Sequence, residues 1–487
     1  MRKAGLLALL LTTVTVTLSI GVTSVACAAE QGQSGALFTI QSRDDRTVVL
    51  EREGSRVTLA SGEDYVYVRG VPRYAVVARK DETVVLRRLP APAADPVRAI
   101  NHASAGATVV VGKGTYRGRI TVPRGVTVVG SGRRVSWLKG SLRFSSDCLI
   151  SGLRIGDRGA CAVRNRGNVS HTRFVSCQFR GGGGAAHSGN DNVVTLTGAS
   201  RDVVFERCRV ERNLGVESAG HTRHFDNVFI NPSTNAPSMD TIVFRRCHFG
   251  VSNGKRRGGP RFNVEIWTDP GLRVRTGGFT NISFEGCTFE AAADANIDFS
   301  GATLSADNLT PANGPCLIRN CVFKGNGKGR FRWVNDITAE EGAGYLTITG
   351  NTFYRGQGHA FYAENQRSNA PASCYGYNTF SDNVVDATSR VCDTGIPHKV
   401  AWDYVRLDSQ YNVVSGNKII NTSRYRQCVS VHGAHNQVID NVFINKPASY
   451  YTIGLGARSR NNVVVRNVLT GGGIDNDGSG NTIAPNP

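Results

Sequence analysis

Four short segments near the middle of this 487-residue sequence hold side chains that could do chemistry: NVEIWTD at 263–269, NIDFSG at 296–301, RFRWVND at 330–336 and AFYAEN at 360–365. Each reads as a strand, and strand alternation sends Val264, Ile266, Ile297, Phe299, Phe331 and Trp333 to one face. The other face then carries Glu265 and Trp267, Asp298 and Ser300, and Arg332, with Tyr362 and Glu364 on the fourth segment. Placing Ile266, Phe299 and Trp333 in one column puts Glu265, Asp298 and Arg332 in another; a slide of two residues would set Asp298 beside Trp267 instead. Carboxyl groups on neighbouring strands sit about 5 Å apart, the separation at which one attacks a sugar ring and the other moves the proton. Two strands apart they leave room for a water between them. Like charges this close hold one carboxyl protonated, as a general acid requires. Arg332 would keep the other ionised or neutralise a substrate carboxylate, and Trp267 offers a flat face to a sugar. The competing reading of Glu265 and Asp298 is a structural carboxylate ladder or a cation site.

A second chemistry is open to the same region. β-Elimination on a uronate chain needs the substrate carboxylate neutralised and the neighbouring proton removed. Lys255, Arg256, Arg257 and Arg261 would hold an anionic chain, and Arg332, Lys324 or Tyr362 would act as base. Calcium could take the neutralising role, with Glu265, Asp269, Asp294 and Asp298 as its oxygen ligands. The substrate-binding candidates are thus Trp267, the basic run from Lys255 to Arg261, Tyr362 and Glu364.

What must position these groups is a phrase repeated ten times: apolar, two residues, Cys or Asn, one residue, apolar. It runs from Phe174/Cys177/Phe179 and Phe205/Cys208/Val210 to Val438/Asn441/Phe443 and Val464/Asn467/Leu469, with 24 to 40 residues between successive central positions. A recurring unit of this length means stacked repeats. The units are short, β-branched and aromatic, and broken by Gly, Asn and Asp, with no helical periodicity. A fixed phrase with variable spacing fits a coil of parallel strands in which like side chains stack on the next turn. The chain resembles the right-handed parallel β-helix of the pectate-lyase-like type, a superfamily of secreted carbohydrate-active enzymes. The predicted class is therefore all-β: a single-stranded β-helix solenoid with a small N-terminal β module and a helical cap.

Residues 1–29 read as a secretory signal peptide cleaved near Ala28 or Ala29, with a lipid-modified Cys27 as the rival. Residues 30–92 alternate apolar and polar in short pieces and predict a small antiparallel β module, followed by the linker PAPAADP at 90–96. The coil is assigned to 93–487, with a helix in VRAINHASAG (97–106) covering its first turn. The longest repeats place groove-forming loops at about 210–345, which is where function on a rigid frame usually sits.

The formal charge is +19, which favours an anionic partner such as an acidic polysaccharide or wall polymer. No nucleic-acid-binding motif and no zinc spacing is present, and no apolar run beyond the leader could span a membrane. Five of the twelve cysteines, Cys177, Cys208, Cys247, Cys287 and Cys321, fall in the repeated column and are expected to be buried thiols. Stacking at one rung's spacing is too wide for a disulfide. Cys374 with Cys392, or Cys392 with Cys428, is a possible bridge.

VSVHGAHNQVIDNVFIN at 429–445 resembles the Arg-His-Gly-Asn segment of alginate and chondroitin lyases of this fold. His432, Gly433, Asn436 and Asn441 match, while Val431 stands at the arginine position and SRVCDTGIPH (389–398) lacks the expected lysine strand. The sequence reading is a secreted, monomeric polysaccharide-cleaving enzyme, with β-elimination on an acidic polysaccharide favoured. It would need no cofactor, or calcium if a lyase. A glycoside hydrolase or glycosyl-transferring enzyme using the Glu/Asp pair is the alternative, and a non-catalytic wall- or polysaccharide-binding protein the third.

Overall fold

The computed structural model describes residues 35–484, apart from 44–46, 53–54, 61–64, 69–70, 81–82, 158–160, 182–191, 213–225, 233–238, 252–259, 268–277, 291, 293, 301–314, 325–334, 341–342, 355–357, 365–375, 389–402, 423–425 and 447–450. The proposed signal peptide and Cys27 lie outside the described residues. The chain divides into two compact units, Met1–Ser61 with Val76–Arg88, and Gly62–Ala75 with Leu89–Pro487. Residues 35–88 supply one six-stranded sheet with antiparallel pairing, beginning with Gly35–Arg43 against Thr47–Arg52.

From Thr108 onward the strands fall in rotation into three parallel sheets of fourteen, thirteen and thirteen strands. Sheet I runs from Thr108–Val111 to Thr482–Ile483, sheet II from Gly114–Arg117 to Val468–Thr470, and sheet III from Ile120–Val122 to Ile474–Asn476. Each strand pairs with the third strand after it, so one rung is one turn of the coil. The helix Pro96–Asn101 is capped by the Asp95 side chain on the Arg98 amide and buries Ile100 among the first rungs' core side chains. Among the described residues no helix is long and apolar enough to cross a membrane.

The repeated phrase is the corner from sheet I to sheet II. Its first apolar residue is the last but one of a sheet I strand and its last lies in sheet II, and both point into the core. Phe174, Phe205, Phe244 and Phe284 are register partners whose rings stack at 4.9, 4.9 and 5.1 Å, one rung's rise apart. Phe249, Phe289, Phe323 and Phe353 repeat this in sheet II at 4.7, 4.9 and 4.6 Å. Truncating one such ring removes contacts on both sides and destabilises by about 3–5 kcal/mol.

The central residue of the phrase serves the corner's backbone. Each column thiol donates to a carbonyl of the preceding rung, as in Cys247 Sγ to Phe205 O (3.2 Å) and Cys321 Sγ to Phe284 O (3.4 Å). From Asn351 on, an amide does this and also bonds the next amide: Asn417 Nδ2 donates to Phe380 O (2.8 Å) and Asn441 Oδ1 (2.9 Å). Asn417 Oδ1 in turn accepts the Asn383 amide at 2.9 Å. The five column cysteines are free and buried, as is Cys428, so Cys428 forms no bridge with Cys392; Cys374 and Cys392 themselves lie outside the described residues. A second ladder, Asn378, Asn412, Asn436, Asn462 and Asn481, stands at the corner leading into sheet I.

The residue before each central Cys or Asn has positive φ, from Ser176 (52°) and Arg207 (53°) to Asp440 (58°) and Arg466 (57°), which turns the chain within two residues. Glycine takes this position at Gly286, Gly350 and Gly416, and at the last two the rung below fills the space. A Cβ on Gly416 would meet Asp382 Oδ1 at 2.6 Å. The two-residue corner holds at every I-to-II step but one, residues 131–135 between Thr127–Gly130 and Ser136–Lys139. The long insertions of the repeat enter elsewhere, in the connections at either end of the sheet III strands.

Candidate active site

Over its middle rungs sheet III is shielded on both faces. Residues of Phe262–Trp267, Ala295–Ser300, Asn335–Glu340 and His359–Ala363 are buried in continuous runs, whereas Arg201–Glu206 on sheet I alternates. The inward set includes Val264, Ile266, Ile297 and Phe299, as the alternation predicts. The outward set is polar, so this face is a shielded trough of titratable groups.

Register fixes its columns. Glu265 pairs with Asp298 and Trp267 with Ser300, the first of the two alignments open to the sequence. The next strand differs from the expectation. It is Asn335–Glu340, which pairs Asp298 with Thr338 and Ser300 with Glu340, so Thr338 rather than Arg332 continues the Glu265–Asp298 column. The physical reason is a side-chain chain at the strand starts. Asn227 Nδ2 donates to Asn263 Oδ1 (2.7 Å), Asn263 to Asn296 (2.7 Å) and Asn296 to Asp336 Oδ1 (2.6 Å), which locks DITAE, not RFRWV, beside NIDFS. Aligning on that Asn/Asp rather than on the aromatics finds the register: NVFIN, NVEIW, NIDFS, DITAE. Arg332 itself, with Phe331, Trp333, Lys255, Arg256, Arg257 and Asp269, lies outside the described residues.

Tyr362 follows Thr338 in the column, and Arg406 follows Tyr362. Glu364 and Asp408 extend the Ser300–Glu340 column, their amides donating to Ala339 O and Ala363 O. Glu364 shares a hydrogen bond with Glu340. Tyr362 Oη bonds Asp408 Oδ2 (3.1 Å) and Glu364 Oε1 (3.3 Å), and Arg406 Nε bonds both Asp408 oxygens at 3.0 and 3.2 Å. Arg261 is half-buried, stacks over Phe262 and bonds Asp294 Oδ2 at 3.3 Å, so its charge is directed at carboxylates. Trp267 is half-buried at the strand end, 6.4 Å from the Phe229 ring. Asp226, Glu340, Arg406 and Asp408 were not evident in the sequence. They join the site only because of how many residues each turn contains.

The trough perturbs its acids. Burial pushes Glu265 up to about 7, against a hydrogen bond with Asp226 and the nearby Arg261 charge. Burial and the charges of Glu340, Glu265 and Asp294 hold Asp298 well above the usual carboxylate range. Burial and Glu340 bring Glu364 to about 8, and burial brings Asp294 to about 6 against Arg261. Tyr362 is also raised, by burial and then Asp408 and Glu364. Both Glu265 and Asp298 are 2% exposed, and Asp298 Oδ2 has no hydrogen-bond partner among the described residues. Such a pair can hold one proton between two carboxyls at neutral pH. No three His, Cys, Asp or Glu side chains converge as a metal site among the described residues.

No family model matches the sequence, and no curated protein does. Among solved structures the chain is similar to PfbA, a surface adhesin of Streptococcus pneumoniae, at 13% identity over 78% of this chain and 87% of that one, with a TM-score of 0.50. It is also similar to DFA-IIIase from Arthrobacter chlorophenolicus A6 without its lid in complex with GF2, at 12% identity over 78% and 92% of the two chains (TM-score 0.47). An alginate lyase from Paenibacillus sp. str. FPU-7 is 14% identical over 79% and 95% (TM-score 0.35). With its three parallel sheets, the chain is a right-handed parallel β-helix.

Proposed function

We propose that this β-helix is a carbohydrate-active enzyme that cleaves or transfers a glycosidic bond, with Glu265 and Asp298 as its working carboxyls. The observation that carries the reading is their register pairing on adjacent rungs of the shielded face. Rungs are about 4.8 Å apart, near the roughly 5–5.5 Å of a nucleophile and an acid/base acting with retention. Asp298, held protonated by burial and by its acidic neighbours, gives its proton to the departing glycosidic oxygen. Glu265, bonded to Asp226 and near Arg261, carries charge more readily and attacks the anomeric carbon as the C–O bond breaks. Asp298, now ionised, takes a proton from a water or an acceptor hydroxyl, whose oxygen displaces Glu265 and frees the sugar. Trp267, two residues beyond Glu265, offers its ring to the sugar.

Elimination, which the sequence favoured, is less well supported. Tyr362, its base among the described residues of the trough, is pushed upward and stays protonated. Arg261 and Arg406, the nearby cations, are engaged by Asp294 and Asp408. The adhesin among the similar folds keeps a binding-only protein as the other class.

The test is incubation with neutral, uronate and sulfated polysaccharides. New reducing ends or transfer products without an unsaturated sugar are expected, and Glu265→Gln or Asp298→Asn should each lower the rate roughly 10²-fold or more. Products absorbing in the near ultraviolet would establish elimination instead, and binding without products a non-catalytic protein.

A further inference from the structure

We propose that the corner between sheets I and II carries a separate groove that holds an anionic polysaccharide chain by its carboxylate or sulfate groups. A cavity of about 650 Å³ opens there over successive rungs. It lies away from sheet III, and its role does not depend on the reaction assigned to that sheet.

The groove is built by two departures from the repeat. The one enlarged I-to-II corner, residues 131–135, reaches forward along the coil, and Arg133 Nη1 donates to the Arg207 carbonyl at 2.9 Å, three rungs on. Between them the corner positions are small, Gly152 and Ser176, where the following rungs carry Arg207 and Arg246. Small side chains make the floor, Arg133 crosses it to the Arg207 rung, and Arg246 stands one rung further on.

The lining holds Arg133, Arg207, Arg209, Arg246 and His248 and, among the described residues, no carboxylate. Glu211 already neutralises Arg209 (2.7 Å) and Glu290 faces His248 (3.1 Å), while Glu206 stands 3.7 Å from Arg207. Arg133 and Arg246 have no carboxylate partner among the described residues, and Arg246 is exposed. Their guanidinium groups are therefore the ones left for a ligand, and their planar forks suit carboxylate and sulfate oxygens. The corners from Gly132 to Arg246 span five rungs, roughly 19 Å, several sugar residues long. Arg207 and Arg246 are one rung apart, roughly the repeat of a sugar along an extended chain. An extended polyanion fits this layout better than a single small anion, and the +19 formal charge agrees.

Binding of the intact chain is measured, under conditions where no cleavage is detected, to polygalacturonate, dextran sulfate, neutral dextran, inorganic phosphate and single-stranded DNA. Polygalacturonate, dextran sulfate or both should bind, more weakly as salt rises, with neutral dextran silent; which of the two binds tighter identifies the anionic group. Arg246→Gln and Arg133→Gln should each weaken binding about ten-fold, while Arg466→Gln, on an exposed pair with Asp440, should leave it unchanged. Arg246→Gln alters an exposed side chain, so an unchanged melting temperature separates lost binding from lost folding. Absence of polymer binding, an equal loss in Arg466→Gln, tighter binding of DNA, or phosphate competing at the polymer's own affinity would each overturn the proposal.

Discussion

Glu265 and Asp298 face each other across one rung of sheet III, each 2% exposed, with Asp298 Oδ2 lacking a hydrogen-bond partner among the described residues. A carboxyl placed so is poor structural material, because an amide of the same shape would be easier to bury. Glu265→Gln and Asp298→Asn should therefore hold or raise the unfolding midpoint at pH 8 while lowering the rate roughly 10²-fold or more. Denaturant titration and a rate assay on the same samples check this. A large loss of stability in both variants would return the pair to a structural role.

Stability should fall as pH rises from 5 to 8. Glu265, Asp294, Asp336, Glu364 and Asp403 are all raised by burial, to between about 6 and about 8. A raised carboxyl contributes stability that is complete below its unfolded value and is lost as pH passes its folded value. For Glu265, raised from 4.5 to about 7, the loss is on the order of 3 kcal/mol. Glu265→Gln should flatten the profile by a like amount. A wild-type midpoint that climbs between pH 5 and pH 8 would contradict this.

The rate should depend on the same group with the opposite sense. If Glu265 is the nucleophile it must be ionised, so kcat/KM should rise through about pH 7. Glu265→Ala should regain turnover with added azide, which takes the vacated place and yields a glycosyl azide of inverted configuration. Azide that restores nothing to a folded variant would exclude this role.

The ladder's two chemistries should differ in strength. Asn417→Ala removes bonds to Phe380 O and Asn441 Oδ1 and strips the Asn383 amide of its acceptor, on the order of 3 kcal/mol. Cys287→Ala removes a weak thiol donor to Phe244 O at 3.3 Å, a weak sulfur acceptor of the Cys247 amide at 3.4 Å, and a small apolar filler, about 1–2 kcal/mol. Equilibrium unfolding orders the two; the reverse order would refute the ladder account. Alkylation of the native protein should also leave Cys177, Cys208, Cys247, Cys287 and Cys321 unmodified, as peptide mass spectrometry can check.

The coil and the Glu265–Asp298 pairing are legible in the sequence because both depend on periodicity alone. A Cys or Asn every rung marks the corner, and alternation along NVEIW and NIDFS separates core from trough. The third strand was displaced because RFRWVND offers a convincing aromatic alternation, while the feature that sets register is the Asn at the strand start, bonded on to Asp336. The left-handed corner residues were hidden for another reason: Arg207, Arg246 and Arg466 are not types that favour positive φ, and only the stacked rungs hold them there. Asp226, Glu340 and Asp408 could not be assigned, since each reaches the trough through a connection whose length carries no sign of where it will land.

The I-to-II corner takes two residues at every step but one, while the connections on either side of sheet III vary freely in length. Heritable change is thereby channelled. Insertions beside sheet III can be gained or lost without disturbing the asparagine spine, and duplication of a whole rung preserves its phase. A lineage built on this coil can exchange the connections beside sheet III while Glu265 and Asp298 stay in register.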